Sequence, residues 1–269
     1  MIGVEYKGRL GNQLFQFVFY QYLKSKKRST LFFLQNPHHA SVTKYFDLEP
    51  DGSNTGTRFY EIFTRLLVKF VKFKHIYMQN FVGPREILPQ DNTIYHGYFQ
   101  TDWYLNQLKG RISLKVKEKY FKDFCSKFDP IFKNHKTIVI HIRRTDYLSY
   151  GKRDISLPVS HFQAQLKTIA DIETYKVIFV SDDMEFVKKE FPKQPNYIFS
   201  SNDEITDFQL IQHADIAIIS NSTFAWWAAY LSPKNNYVIA PKNWMGFRLG
   251  RSHPKGIMTE KFYWAEVTD

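Results

Sequence analysis

The chain has 269 residues, 43% of them hydrophobic, which suits one large domain or two small ones and excludes a disordered chain. Its 37 Lys and Arg outweigh 26 Asp and Glu to a net charge of +11, a balance that fits a polyanion, an anionic membrane surface or a phosphorylated small molecule. Cys125 is the single cysteine, so an intrachain disulfide is excluded and a reducing cytoplasm fits; no apolar run reaches the roughly 18 residues of a membrane-spanning helix, and the N-terminus does not read as a signal peptide.

In chain order, the sequence predicts a short strand over Ile2–Tyr6, a turn over Lys7–Gly11, a helix over Asn12–Lys26 with Leu14, Phe15, Val18, Phe19 and Tyr22 at helical spacing, and a strand over Thr30–Leu34. Residues 35–57 read as loop, rich in His, Asn, Asp and Gly. Helical period returns over Arg58–Lys74, with Phe59, Ile62, Phe63, Leu66, Leu67, Phe70 and Val71 on one face and Arg65, Lys69 and Lys72 off it. The plain reading of that helix is a core helix with a solvated side; its basic flanks also suit a helix lying on a membrane surface. Short strands and loops follow around "HGYFQTDWYL".

The second half alternates regularly. Strands are predicted over Thr137–Ile142, Lys176–Val180, Tyr197–Phe199, Ile216–Ile219 and Tyr237–Ala240, the last closing the set. Helices are predicted near Ser160–Ile172 and over Met184–Phe191, Ile205–His213 and Phe224–Leu231. Such alternation implies a doubly wound parallel sheet. The charged stretch Lys115–His135 reads as the junction, with domains expected at 1–130 and 131–269.

In open parallel sheets, ligands bind beyond the carboxyl ends of the strands. Three polar clusters are predicted there: His141–Asp146, Ser181–Asp183 and Ser220–Thr223. Ser222 and Thr223 can cap a helix N-terminus, whose free N–H groups make an anion site. Arg143 or Arg144 can meet the same anion with a bidentate fork, one arginine pairing with Asp146 and the other left free. Asp182 or Asp183 can accept hydrogen bonds from a ribose or base edge, although alone they read as an N-cap before Met184. The expected ligand is a nucleotide diphosphate. Neither standard glycine-rich phosphate loop occurs.

These residues also carry a resemblance. "HIRRTDY" resembles the His-x-Arg-Arg-x-Asp motif of α1,2-, α1,6- and protein O-fucosyltransferases. "GRLGNQLFQF" (8–17), "GYFQTDWYL" (97–105) and "SNSTFAWWAAYL" (220–231) resemble further blocks of the α1,2-fucosyltransferase family, glycosyltransferase family 11. Thr145 and Arg9 depart from glycines frequent in that family. The resemblance implies an α/β GT-B fold, two Rossmann-like domains facing a cleft, with an acceptor-side N-terminal domain and a C-terminal domain binding GDP-fucose. It implies that Arg144 contacts the β-phosphate, that His141 and Arg143 shape the donor site, that Ser222 and Thr223 add phosphate contacts, and that Ser220 and Asn221 belong to the same donor-binding set. Asp182 or Asp183 would hold the nucleoside, and Gly11 and Asn12 would reach the site from the N-terminal domain. Tyr98, Gln100 and Asp102 fall on the acceptor side.

The implied activity is an inverting, metal-independent transfer of L-fucose to the 2-hydroxyl of a galactoside, with no cofactor beyond the GDP-fucose donor. Fixed cations and N–H dipoles aimed at the leaving phosphate favour the transition state. The base for the acceptor hydroxyl is left open among Asp102, Asp146 and His141. Another linkage or acceptor on the same donor is the second enzyme reading. Nucleic-acid binding rests only on the net charge and is not expected, because no such motif appears. The acceptor is expected to be a galactose-terminated glycan, with a lipid-linked one as an option, and the location cytoplasmic, with peripheral membrane contact as a further option.

Overall fold

The computed structural model describes residues 1–27, 29–34, 42–49, 57–110 and 112–267. The chain divides into two compact units: Met1–Lys117 with His253–Thr259, and Glu118–Ser252 with Glu260–Asp269.

Unit 1 is built on a parallel sheet of β1 (Ile2–Glu5), β2 (Leu31–Leu34), β4 (Lys74–Tyr77) and β5 (Thr93–His96), in the order β2-β1-β5-β4. Helix α1 (Leu10–Lys26) begins two residues earlier than its periodicity predicts and is buried nearly all round. Its entry turn depends on Gly8 at φ +77, where a Cβ would lie 2.5 Å from Asn12 Nδ2, so a side chain is excluded both by conformation and by space. Lys24 and Lys26 occupy its last turn, where cations offset the helix dipole. An antiparallel pair, β3 (Phe46–Glu49) with β6 (Ser113–Val116), lies apart from the main sheet. Part of the predicted 35–57 loop lies outside the described residues; its described portion contains β3 and a turn of 3-10 helix at Val42–Lys44.

Helix α2 (Arg58–Phe70) stops short of the predicted Lys74, which opens β4 instead. It is not a core helix. It meets β2 through Tyr60, whose hydroxyl accepts from Phe33 N at 2.8 Å, and buries Thr64, while most of its large apolar residues face outward. Helix α3 (Trp103–Gln107) packs against α1, with Tyr104 against the rings of Phe19 and Tyr22.

Unit 2 is a six-stranded parallel sheet of β7 (Thr137–Ile142), β8 (Lys176–Ser181), β9 (Tyr197–Phe199), β10 (Ile216–Ile219), β11 (Tyr237–Pro241) and β12 (Tyr263–Ala265). The strand order is β12-β11-β10-β7-β8-β9, so the sheet is a six-stranded Rossmann arrangement. Continuous apolar strands such as Ile138–Ile140 and Val177–Phe179 are buried on both faces, as parallel strands require. The connecting helices are α4 (Glu118–Asn134), α5 (Val159–Lys167), α6 (Met184–Glu190), α7 (Glu204–His213) and α8 (Thr223–Tyr230). β12 extends the set beyond the strand expected to close it. Phe179 sits at the core's centre, stacked with Phe199 and tilted against Phe191; each such buried side chain contributes about 1.5–3 kcal/mol.

The expected boundary at 130/131 shifts to Lys117/Glu118. The new boundary falls within the charged stretch Lys115–His135 expected to be the junction, most of which is helical. The helical part is α4, whose Phe124 is buried and stacked on Phe128 and His213, holding the helix against α7. The two Rossmann-like units give the chain the GT-B-type α/β class that its motifs imply.

Candidate functional site

In unit 2 the first and fourth strands of the sheet, β7 and β10, are neighbours, paired from Ile216↔Ile138 to Ile219↔His141. The strand order reverses between them, and a doubly wound sheet opens its ligand crevice at the carboxyl ends of such a pair. Two of the three predicted clusters meet there. Ser220 N donates to His141 O at 3.1 Å, and the Ser220 hydroxyl lies 2.8 Å from His141 Nδ1. The third cluster, at the end of the adjacent β8, reaches the same corner through Asp182 and Asp183.

The corner is a woven set of charges. Arg143 donates from Nε to Asp146 Oδ1 at 2.9 Å, and its guanidinium lies 3.2 Å from Asp182 Oδ2. Asp182 also accepts from the backbone N–H groups of Arg144 (2.8 Å) and Thr145 (3.2 Å), and from the Thr145 hydroxyl. Arg144 is not left free as expected: its Nε donates to Asp183 Oδ2 at 3.1 Å, and its guanidinium lies 3.6 Å from the Phe186 ring centre. The terminal nitrogens of Arg144 have no partner among the described residues, so Asp183 and Phe186 aim the fork without filling it. Asp183 also caps α6, accepting from Phe186 N at 3.2 Å. Both aspartates therefore hold backbone and arginines here.

Helix α8 is apolar throughout and buried from Ala225 to Tyr230, with Trp226 and Trp227 fully covered. That burial fixes where its N-terminus ends. Ser222 occupies the N-cap position, but its side chain makes no capping bond; it interacts with the Tyr147 hydroxyl instead. The first intrahelical bond is Trp226 N to Ser222 O, so the amides of Thr223, Phe224 and Ala225 have no acceptor among the described residues. Asn221 is buried; its Nδ2 donates to Ile155 O at 2.8 Å while its Oδ1 has no partner. An uncapped helix N-terminus on the same sheet edge as a guanidinium fork is suited to an anion.

Burial, aided by the Arg143 charge, lowers the pKa of His141 to about 3, so the ring is neutral. It is too weak a base for the role left open for it, and works as a hydrogen-bonding strut. Asp146 is committed to Arg143. Burial likewise raises the Tyr147 phenol to about 12.

Unit 1 carries the remaining predicted residues. Gly11 and Asn12 lie in the first turn of α1, and Asn12 Oδ1 accepts from Gln100 Nε2 at 2.7 Å. Gln13 donates to Gly8 O, and Gln16 bonds both Lys7 N and O and also Gly97 O, tying the N-terminal turn to the "GYFQTDWYL" block. Tyr98 stacks under Lys7 Nζ at 5.1 Å. Phe99 holds φ +52 while stacked 3.8 Å from Phe19, a left-handed conformation for a buried aromatic that the packing must sustain. Asp102 accepts from Thr259 Oγ1 at 2.7 Å.

Sequence reasoning missed a chain of groups on this sheet. Glu5 Oε2 lies 2.8 Å from His96 Nδ1, and His96 Nε2 lies 2.8 Å from His75 Nδ1. Tyr77 stacks on His96 at 4.6 Å. A carboxylate only accepts, so His96 donates through Nδ1; with His96 in its neutral form, Nε2 accepts from His75 Nδ1 and the exposed His75 keeps a lone pair on Nε2. Three different strands, β1, β4 and β5, supply these groups, and no sequence spacing betrays their partnership.

The profile of glycosyl transferase family 11 matches residues 70–251. The chain belongs to glycosyl transferase family 11. Among curated proteins, this family 11 chain is 33% identical over 123 residues to the O-antigen biosynthesis glycosyltransferase WbnK of Escherichia coli, covering 42% of the chain and 41% of that protein. It is 25% identical to an Escherichia coli alpha-1,2-colitosyltransferase over 88% of the chain and 90% of that protein. Among solved structures, the alpha-1,6-fucosyltransferase NodZ of Bradyrhizobium, co-crystallised with GDP, shares the fold at TM-score 0.52 and 14% identity, covering 90% of the chain and 95% of NodZ.

Proposed function

We propose that this family 11 chain transfers L-fucose from GDP-fucose to the 2-hydroxyl of a galactoside, forming an α1,2 linkage in the synthesis of a bacterial surface glycan. The observation that carries this reading is the switch point of unit 2, where the uncapped N-terminus of α8 and the Arg144 fork share one sheet edge with His141. The names of the two Escherichia coli relatives support the α1,2 linkage and the surface-glycan setting, and the GDP bound to NodZ supports the nucleotide.

In the reaction, the acceptor 2-oxygen bonds to the anomeric carbon, the carbon–oxygen bond to the β-phosphate breaks, and GDP departs with the electron pair. Negative charge grows on the β-phosphate as it leaves. Arg144 and the α8 amides stabilise that charge, which is the task a divalent metal performs in many glycosyltransferases, so no metal is needed. Ser222 and Thr223 flank the same amides. The acceptor proton needs a base, and the Glu5–His96–His75 chain of unit 1 is the one we propose: His75 Nε2 would gain the proton, His75 Nδ1 would give its own to His96, and His96 would give its own to Glu5. This proposal adds the relay to Asp102, Asp146 and His141, among which the sequence left the base open, and His141 is disfavoured by its low pKa. A galactose-terminated glycan is the acceptor and the cytoplasm the setting, where nucleotide sugars are available.

The full-length match to a colitosyltransferase favours one second reading, a donor carrying colitose, which is fucose without its 3-hydroxyl. An acceptor screen with labelled GDP-fucose and its colitosyl counterpart, followed by linkage analysis, tests both. Fucosyl transfer to the galactose 2-position supports the first reading; exclusive use of the colitosyl donor favours the second; transfer to another hydroxyl removes the linkage.

A further inference from the structure

Helix α2 docks on unit 1 by only one side. Tyr60 and Thr64 point toward β2, and Leu67 and Val68 are partly covered. On the other side stand Phe59, Ile62, Phe63, Leu66 and Phe70, all exposed, with Phe59 at 88% and Phe70 at 84%. At 100° per residue these five fall within an arc of about 100°. They form one continuous apolar stripe, too wide and too aromatic for an ordinary solvated face.

The charges beside it are arranged as well. On the same wheel Arg58, Arg65 and Lys69 form a single row along one flank of the stripe. Glu61 is the helix's one acid; it lies beyond that row, 3.8 Å from Arg65. Lys72 is exposed just past the helix end. An apolar stripe bordered by a basic row matches the cross-section of an anionic lipid surface: acyl chains accept the phenyl rings, and headgroup phosphates meet the cations. Among the described residues no helix is long and apolar enough to cross a membrane, so contact through α2 would be peripheral.

We infer that α2 is a membrane-docking helix that seats unit 1 on an anionic bilayer. The stripe enters the interface, and the Arg58–Arg65–Lys69 row sets the preference for negatively charged lipid. The inference stands on α2 alone and does not depend on the donor or the linkage.

The test is vesicle co-sedimentation of the full chain, using phosphatidylethanolamine vesicles with and without phosphatidylglycerol. Binding is expected to phosphatidylglycerol vesicles and to weaken as salt rises. The double variant Phe59→Ser, Phe63→Ser and the triple variant Arg58→Glu, Arg65→Glu, Lys69→Glu should each lower binding by roughly tenfold or more. Both should keep the melting temperature and the turnover of a water-soluble acceptor, because these side chains are exposed and none is assigned a part in the reaction. Absence of binding by the unaltered chain overturns the inference, as does unchanged binding by both variants. A stable dimer that Phe59→Ser, Phe63→Ser converts to monomer also overturns it, because the stripe would then be covered by a second copy.

Discussion

Arg144 Nε donates to Asp183 Oδ2 at 3.1 Å, while its guanidinium rests 3.6 Å from the Phe186 ring centre and Asp183 caps the helix that carries Phe186. One carboxylate therefore orients both the arginine and the ring on which it lies.

Replacing Arg144 with Lys keeps the charge but removes the planar fork and its stacking on Phe186. Turnover should fall roughly 10²–10³-fold, the cost of losing one transition-state donor, with the melting temperature little changed. The loss should fall on kcat as well as kcat/KM. Near-normal turnover would make Arg144 a corner brace only.

Arg143→Lys should behave differently. Arg143 joins Asp146 to Asp182, and Asp182 in turn holds the Arg144 and Thr145 amides. Weakening these charged hydrogen bonds should cost about 1–3 kcal/mol of stability, with a smaller loss of turnover than for Arg144→Lys. Thermal melts and kinetics on the two variants side by side separate aiming from bracing.

The relay predicts that Glu5→Gln and His75→Asn each lower kcat by ~10²-fold or more, while donor affinity is kept. His141→Asn should act through stability and donor binding instead, because His141 is neutral and bonded to Ser220. Wild-type kcat in Glu5→Gln would remove the relay from the reaction.

Stability should drop in mild acid. Burial lowers the pKa of His141 to about 3 and those of His161 and His213 to about 4, all below the ordinary 6.5. The folded chain thus binds fewer protons than the unfolded chain between these values. The contribution is complete above pH 6.5 and is lost as pH falls toward 4 and below. Asp207 works in the opposite sense: burial raises it to about 7 despite its bond from Ser200. Its stabilising protonated form is lost as pH rises through 7, so Asp207→Asn should raise the melting temperature relative to the unaltered chain more at pH 8 than at pH 5. Melts across pH 4–8 check both signs.

The parallel sheet of unit 2 was readable because its strands are apolar runs closed by polar turns: Thr137–Ile142 and Ile216–Ile219 need no tertiary information to be recognised. Three-residue β12 gave no such run, and β4 lay hidden at the tail of a helical pattern. Strand ends placed the His141, Asp182 and Ser220 clusters correctly on one edge. What they could not disclose was partnership. Asp183 is 39 positions from Arg144, and His96 is 91 from Glu5, so local spacing carries no trace of either bond. The outward turn of α2 was equally hidden, because an amphipathic pattern states that one face is apolar and leaves open what that face meets.

Activity should survive excess EDTA, because the proposed mechanism gives Arg144 and the α8 amides the part of a divalent ion at the leaving phosphate. Loss in chelator, restored by Mg²⁺ or Mn²⁺, would mean that the phosphate sits elsewhere.

The central claim is that the edge formed by α8 and Arg144 binds the diphosphate of a guanine nucleotide sugar. Thermal shift with GDP and GDP-fucose, against UDP and CMP at equal concentration, tests it most directly, because a ligand that binds only the folded chain raises its melting temperature. The account predicts a clear shift with GDP and GDP-fucose that shrinks in Arg144→Lys, and little with UDP or CMP. Equal shifts with all of them, or none with GDP, would contradict it.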